Sequence, residues 1–239
     1  METKPLTIEL EIGYTEKGVT HRSVTFGKRL TGKELFIVDS DPRGGISTQY
    51  QHLLLRNAIT EFGTLTMPID MMVFQKMDSI DTDDLNTGFT KFQEGMLEGR
   101  GPEFLEGDRV KLAFGLEREG MVYDLVEFGR RLTGMDEIQA DKKGYRVGTI
   151  QRVCYLAGRQ VRRLAQSEGD LELPGEMEIE TFRSLDVVDI QAIRLGAELF
   201  RQSFRRAGTR LRAERPGLDG ASDSKKHGVE RAVDTGSVN

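Results

Sequence analysis

The chain has 239 residues, which is enough for two domains of about 100 residues each, close to the common domain size. Its 34 Lys and Arg residues against 39 Asp and Glu give a net charge of −5, so no overall basic field points to nucleic acid as a partner. The single cysteine, Cys154, excludes an internal disulfide and a cysteine-based zinc site, and it suits a reducing cytoplasm. It lies in an apolar helical pattern and is predicted to be a buried, unreactive thiol.

The sequence shows no targeting or membrane-spanning segment. Residues 1–5 do not combine a basic start with a following apolar run, so we expect no secretory signal. No stretch approaches the roughly 18 consecutive apolar residues of a membrane-spanning helix, so we expect no membrane span.

Alternating apolar residues at the start of the chain predict a strand with one buried face, over about residues 6–12. A turn with Gly18 leads to a second strand over residues 19–26, so the chain opens with a β-hairpin. The Thr-x-x-Glu spacing of Thr31 and Glu34 is typical of a capping box, which predicts that a helix begins at this strand-to-helix corner. A hairpin alone is marginally stable in water, so the following helices are expected to cover its apolar face.

A regular spacing of apolar residues over 46–62 predicts an amphipathic helix, and Pro68 lies in the connection that follows. A short apolar segment at 69–77 precedes a final predicted helix at about 79–97. Asp78 and Asp81 stand three residues apart at the start of that helix, where they can accept backbone N–H bonds and oppose the helix dipole. A metal site or an acid–base pair is the less favoured interpretation, because no histidine or third acid recurs beside them.

The second half of the chain repeats the first. The segment Phe26–Gly32 returns 102 residues later as Phe128–Gly134 with one Lys-to-Arg change, and Phe74–Asp81 returns 108 residues later as Phe182–Asp189. The caps recur with the segments, as Thr133 with Asp136 and Asp186 with Asp189. Such self-similarity indicates a tandem duplication. We therefore predict an α+β fold of two homologous modules, each an antiparallel β-hairpin packed against about three α-helices.

The predicted organisation has four parts. Residues 1–98 form the first module, 99–104 a linker, 105–213 the second module, and 214–239 a disordered polar tail without apolar periodicity.

Few residues suggest catalysis. His21, His52 and His227 do not recur between the copies, and no phosphate-binding loop, dinucleotide fingerprint or nucleophile elbow is present. We expect no catalytic residues, no cofactor and no metal, and an enzyme is the least favoured class. The second copy carries many arginines, among them Arg159, Arg163, Arg201 and Arg205. They could meet phosphates, but a solvated face, or a face paired with an acidic partner or with the first copy, is the favoured interpretation.

The corner Leu30–Glu34, the step Met77–Asp81 and their repeats at Leu132–Asp136 and Leu185–Asp189 resemble the tail assembly chaperones of contractile-tailed phages and related baseplate and injection-system proteins. Two copies in one chain depart from the single small module that is usual there. The resemblance implies a non-enzymatic protein of the host cytoplasm or the virion that binds a tail component, most often the tape measure protein. Self-association is also left open.

A helix-rich face is a candidate partner surface, since it could receive an amphipathic helix. Core packing is the favoured interpretation for most of the apolar side chains in this region, and the candidate partner residues are Leu53, Leu54, Phe89, Phe92 and Met96. Two other functions stay open. One is a structural baseplate or tube-end component that remains in the particle, and the other is a nucleic-acid-binding accessory protein that uses the arginines of the second copy.

Overall fold

The computed structural model describes residues 4–41, 47–169 and 171–213, without the side chains of Ser47 and of residues 205–213. The chain divides into one unit of residues 1–201 and another of residues 202–239, of which 202–213 are described and helical. The predicted disordered tail at 214–239 lies outside the described residues. None of the helices in the described ranges combines the length and the apolar character needed to cross a bilayer.

The first half contains three strands and four helices. They are β1 (Leu6–Glu16), β2 (Val19–Phe26), α1 (Gly32–Ser40), α2 (Ser47–Ala58), β3 (Ile59–Phe62), α3 (Met71–Lys76) and α4 (Ser79–Leu97). The second half repeats this order with one added strand before it and one within it. Its elements are β4 (Glu103–Leu105), β5 (Arg109–Arg118), β6 (Met121–Phe128), α5 (Gly134–Lys142), α6 (Ile150–Gly158), β7 (Val161–Ala165), β8 (Glu172–Pro174), α7 (Ile179–Ser184) and α8 (Val187–Ala213).

Each half builds one antiparallel sheet. The first has the order β1-β2-β3 and the second the order β4-β5-β6-β7-β8, so β4 and β8 are the outer strands that the second half adds. The predicted α+β class is confirmed. The count of about three helices is too low, because the short apolar segments at 69–77 and its repeat contain helices α3 and α7.

The prediction of one long helix over residues 46–62 is wrong at its C-terminal end. Helix α2 ends at Ala58, and Ile59–Phe62 is strand β3, which pairs with β2 so that Ile59 faces Phe26 and Phe62 faces Val24. The Ala58 carbonyl accepts the backbone N–H groups of the residues after β2, which fixes the chain at this change. The same correction applies to the second copy, where α6 ends at Gly158 and β7 follows. The helical spacing of α2 and the strand alternation of β3 form one continuous run of apolar residues, so the sequence does not show where the helix ends.

The final helix of each half covers its sheet at very short range. Phe26 packs on Phe89 and Phe92 with ring centroids 6.0 and 6.1 Å apart, and Phe128 packs on Phe200 at 6.0 Å. A Cβ at helix residue Gly88 would lie 2.7 Å from a methyl carbon of Ile8, and Gly196 is equally close to the second sheet. The two glycines hold equivalent positions, so both copies need a residue without a side chain where helix meets sheet.

A buried carboxylate joins each final helix to the first strand of the hairpin. Asp81 accepts the backbone N–H groups of Ile12 and Gly13 at 3.0 and 2.7 Å, at a bulge where the β1–β2 register shifts. In the second copy Asp189 does the same for residues 113–115 of β5. These bonds satisfy N–H groups that the bulge removes from the ladder. The prediction that Asp81 and Asp189 cap their own helices is therefore corrected, since both bind the neighbouring strand.

Replacing Asp81 by alanine should lower the free energy of unfolding by about 1–3 kcal/mol, because two part-buried N–H groups would lose their acceptor. Asp83→Ala on the exposed face of the same helix should change it by less than about 0.5 kcal/mol. Urea denaturation followed by circular dichroism measures both. Equal losses of unfolding free energy in the two variants would show that the hydrogen bonds between Asp81 and β1 do not stabilise the protein.

Candidate docking site at the strand-to-helix corner

The two strand-to-helix corners have the capping geometry that their sequences predict. The Glu34 carboxylate accepts the backbone N–H and the hydroxyl of Thr31 at 3.0 and 2.6 Å. Asp136 accepts the same two groups of Thr133 at 2.8 and 2.9 Å. Both corners thus present a fixed backbone just before the helix.

The first corner docks on the second half of the chain through backbone pairing. The Gly32 N–H donates to the Leu185 carbonyl at 2.9 Å, and the Val187 N–H donates to the Leu30 carbonyl at 3.2 Å. Thr31 faces Asp186 between these bonds as an antiparallel bridge. The corner therefore pairs as one short strand segment with residues 185–187, where α7 ends and α8 begins. We call these residues, and their counterparts 77–79 in the first copy, the Asp step.

An ion pair closes the same contact. The Arg29 Nε donates to the Asp186 carboxylate at 2.5 Å, and the Arg29 guanidinium lies 3.8 Å from the centre of the Phe114 ring. Asp186 is 2% exposed and also caps α8 by accepting the Val188 N–H at 2.7 Å, as the sequence predicts. A buried carboxylate requires such partners, so loss of Arg29 would leave a charge poorly compensated.

Gly32 sets how closely the corner approaches. A Cβ at this position would lie 2.0 Å from the Phe182 carbonyl oxygen and 2.8 Å from a side-chain carbon of Ile190. Any other residue would have to move the backbone of one partner. Leu30 and Ile190 are buried on either side, so an apolar seal surrounds the polar pairing.

Helix α1 extends the contact toward α6. The Gln151 side chain donates to the Phe36 carbonyl at 3.3 Å and to the Ser40 hydroxyl at 3.1 Å, and its backbone N–H donates to Asp39 at 3.2 Å. Phe36 is buried, with the Arg183 guanidinium 5.9 Å from its ring centre. One face of α1 is thus occupied by the second copy.

The equivalent surfaces of the other pair are exposed. In the second corner Thr133 and Gly134 are exposed, and a Cβ at Gly134 would meet no atom within 4 Å. On α5, Ile138 holds the position of Phe36 and is 48% exposed. In the first copy Asp78 and Ser79 of the Asp step are exposed, although Asp78 caps α4 through the Ile80 N–H at 2.9 Å as predicted. Within the described ranges the chain therefore contains one occupied and one open version of the same contact.

The ionised form of Asp136 is stabilised by more hydrogen bonds than that of its counterpart Glu34. Burial alone would raise the pKa of Asp136, but hydrogen bonds from Thr133 and from Arg130 and Arg159, at 2.9 and 3.2 Å, hold it well below its usual range. The pKa of Glu34 is also lowered, since the Thr31 bonds and Lys28 outweigh its burial. Both corners are built around ionised acids.

The predicted partner face is largely internal. Leu53, Phe89 and Phe92 are buried in the core of the first half, whereas Leu54 and Met96 are half-buried. The structure therefore favours the core-packing alternative for the three buried side chains, which are not available to a partner.

The predicted arginine set is engaged within the chain where the structure describes it. Arg159 pairs with Asp136 and Glu176, and Arg163 pairs with Glu127 and Glu172 at 2.7 and 2.5 Å. Arg201 lies 3.8 Å from Glu198 on the same helix. The side chain of Arg205 is outside the described part of the chain. The acids of these pairs all belong to the second copy itself, whereas the favoured interpretation expected a solvated face or acids of the first copy or of a partner.

A cleft of about 790 Å³ lies beside the docked corner, and Arg29, Thr31, Phe114, Asp124 and Gln166 are among its lining residues. Its lining includes both basic and acidic side chains, so the cleft favours neither an anionic nor a cationic ligand. Among the described residues no group of three or more His, Cys, Asp or Glu side chains is placed to hold a metal ion. Cys154 is buried as predicted, and this burial raises the pKa of its thiol to about 12.

Two residues of the docking contact were not singled out from the sequence. Arg29 and Gly32 both lie in the segment that returns as residues 128–134, so the repeat itself was the available signal. The repeat does not predict which corner docks, because both copies carry the same types of residue and, among the described residues, only the first corner is occupied.

Gly32→Ala should lower the free energy of unfolding by about 1–3 kcal/mol, because the new Cβ overlaps the Phe182 carbonyl. Gly134→Ala is the matched control and should change it by less than about 0.5 kcal/mol in dilute solution. Urea titrations of both variants measure the difference. Equal effects would mean that the corner contact does not hold the halves together.

Asp136→Asn should flatten the acid limb of the stability profile. A carboxyl whose pKa is lower in the folded state stabilises the protein above the unfolded pKa of about 4, and this stabilisation is lost as the pH falls through the folded pKa. Between about pH 4 and pH 2 the wild type should therefore lose more stability than the Asn variant. Urea midpoints at both pH values test this, and parallel profiles would contradict it.

Comparisons of the chain with protein-family models, with curated proteins and with solved structures find no match in any of the three.

Proposed function

We propose that the chain is a non-enzymatic assembly protein of a contractile phage tail or a related injection system. In this proposal it acts in the cytoplasm of the host bacterium and binds another tail component, such as the tape measure protein. The motif resemblance of the corner and the Asp step supports the tail context, and the geometry of the same residues supports a role in protein binding.

One observation carries the proposal. The residues that make up the motifs, Leu30–Glu34 and Leu185–Asp189, are those that bring one folded repeat onto another. They do so by backbone pairing, an ion pair and an apolar seal, a combination that suits recognition of protein. The motif is thus a binding device in at least one of its two copies.

The open corner of the second copy and the open Asp step of the first copy offer area for a partner. Met135 and Ile138 on α5 are 58% and 48% exposed, and Met72 and Ile80 near the first Asp step are 53% and 46% exposed. Exposed apolar side chains grouped beside a rigid backbone edge are common at interaction sites. Flexible methionines also suit a surface that adapts to its partner.

A structural component of the baseplate or tube end is the second candidate. The docked corner favours it, since Gly32 allows a tight fit and Leu185 and Ile190 are completely buried, as in permanent contacts. The two candidates differ in whether the protein remains in the finished particle.

Co-expression with the open reading frames beside its gene provides the test, with a tag on the C-terminal tail. We expect a tail protein to co-purify with the wild type, and Ile138→Asp to reduce its recovery at least about tenfold by placing a charge at the open corner. Lys91→Asp on the exposed face of α4 is a control for changed surface charge.

Mass spectrometry of purified particles then separates the candidates. An assembly chaperone should be absent from particles, whereas a structural component should be present in stoichiometric amounts. Failure of every neighbouring tail protein to co-purify, together with absence from particles, would reject both.

A further inference from the structure

We propose that this chain associates head to tail with copies of itself, the second corner of one chain docking on the first Asp step of the next. The contact would repeat the one that already joins the two halves within the chain. This inference concerns self-association and does not depend on the role in a phage tail, and a tail protein bound at the same corner would compete with the neighbouring chain.

Both copies contain the strand-to-helix corner, but among the described residues only the corner of the first copy is docked. Leu30 and Gly32 are buried in the docked corner, whereas their counterparts Leu132 and Gly134 are half-buried and exposed. Gly32 requires the absence of a side chain because the Phe182 carbonyl is too close. Nothing in the described chain imposes this on Gly134, which has open space beside it and no positive φ. A glycine needed for close approach is therefore kept where the single chain makes no close approach.

The acceptor side shows the same asymmetry. In the second copy, where the corner docks, Leu185, Asp186 and Val187 are buried. Their counterparts Met77, Asp78 and Ser79 are half-buried or exposed, although Asp78 caps its helix in the same way as Asp186. The first Asp step thus has the backbone conformation of an occupied site without an occupant among the described residues.

The repeat specifies the bonds of the new contact. The Gly134 N–H would donate to the Met77 carbonyl, and the Ser79 N–H would donate to the Leu132 carbonyl of the neighbouring chain. Two further positions match by sequence. Arg131 stands where Arg29 pairs with Asp186, so it would face Asp78, and Ile12 stands where Phe114 receives the Arg29 guanidinium. Ile12 is 43% exposed in the single chain. Opposite charges and an apolar side chain therefore meet as they do in the known contact.

The symmetry of the assembly follows from the site. Each chain contributes one open corner and one open Asp step, which are different surfaces, so the contact is heterologous and each chain can bind two neighbours. Such contacts form a closed ring when the rotation returns to its start and a helical filament when it does not. Successive modules along the assembly would then be joined alternately within and between chains.

Sedimentation velocity of the full chain over a concentration series tests the inference. We expect mass to rise with concentration, and Gly134→Leu to raise the dissociation constant at least about tenfold because its side chain fills the space for close approach. Gly95→Leu is the matched control, since Gly95 also has open space around it but lies near the end of α4. Both variants should retain the wild-type circular dichroism spectrum. A chain that stays monomeric up to about 100 µM, or an association that Gly134→Leu leaves intact, would overturn the proposal.

Cross-linking gives a second, independent readout of orientation. Thr31 and Asp186 oppose each other between two backbone bonds, a pairing that brings Cβ atoms close enough for a disulfide. A mixture of Thr133→Cys chains and Asp78→Cys chains, oxidised with glutathione disulfide, should therefore form covalent dimers that neither variant forms alone. A mixture of Thr133→Cys with Gly95→Cys controls for random collision. Equal yields in the two mixtures, or dimers of Thr133→Cys alone, would overturn the head-to-tail orientation.

Discussion

The pairing of residues 30–32 with residues 185–187 is the contact on which the arrangement of residues 1–201 depends. It joins two repeats that each have their own sheet and helices, and it does so through backbone groups whose positions are set by the helix caps on both sides. Because backbone bonds depend on close approach, the contact admits only glycine at residue 32. The ion pair of Arg29 with Asp186 then fixes the register, since a shift of one residue would leave the buried carboxylate without its cation.

Each repeat has its own internal constraint of the same kind. The Asp81 and Asp189 carboxylates hold the strand bulges, and Gly88 and Gly196 let the final helices lie against the sheets. Desolvation raises the pKa of Asp189, while its backbone N–H partners oppose that shift. A bulge, a carboxylate and a glycine thus act together in both copies. Together they fix how helix, strand and sheet pack in both copies. A change in one member alone would leave a buried polar group without a partner or cause a steric overlap.

The sequence predicted the features that repeat with a clear period. The duplication, the opening hairpins, the caps at Thr31 and Thr133 and the final helices follow from apolar spacing and cap chemistry. It did not predict where α2 and α6 end, because β3 and β7 continue the same apolar run and their identity depends on pairing with β2 and β6. The role of Asp81 was missed for a related reason, since an acid near a helix start usually binds its own helix and its strand partner is 68 residues away. Leu53, Phe89 and Phe92, which were candidates for a partner surface, lie in the core, as the favoured interpretation of their helical spacing predicts.

The two sheets differ at their edges, and this difference bears on how the protein avoids unwanted association. Short strands β4 and β8 border the second sheet, whereas among the described strands β1 and β3 border the first. These two carry exposed glutamates at Glu9, Glu11 and Glu61. Negative charge along an open strand disfavours the addition of a foreign strand and so limits aggregation through the sheet. In a crowded cell, encounters between newly made copies would thus be steered away from amyloid-like stacking through these strands.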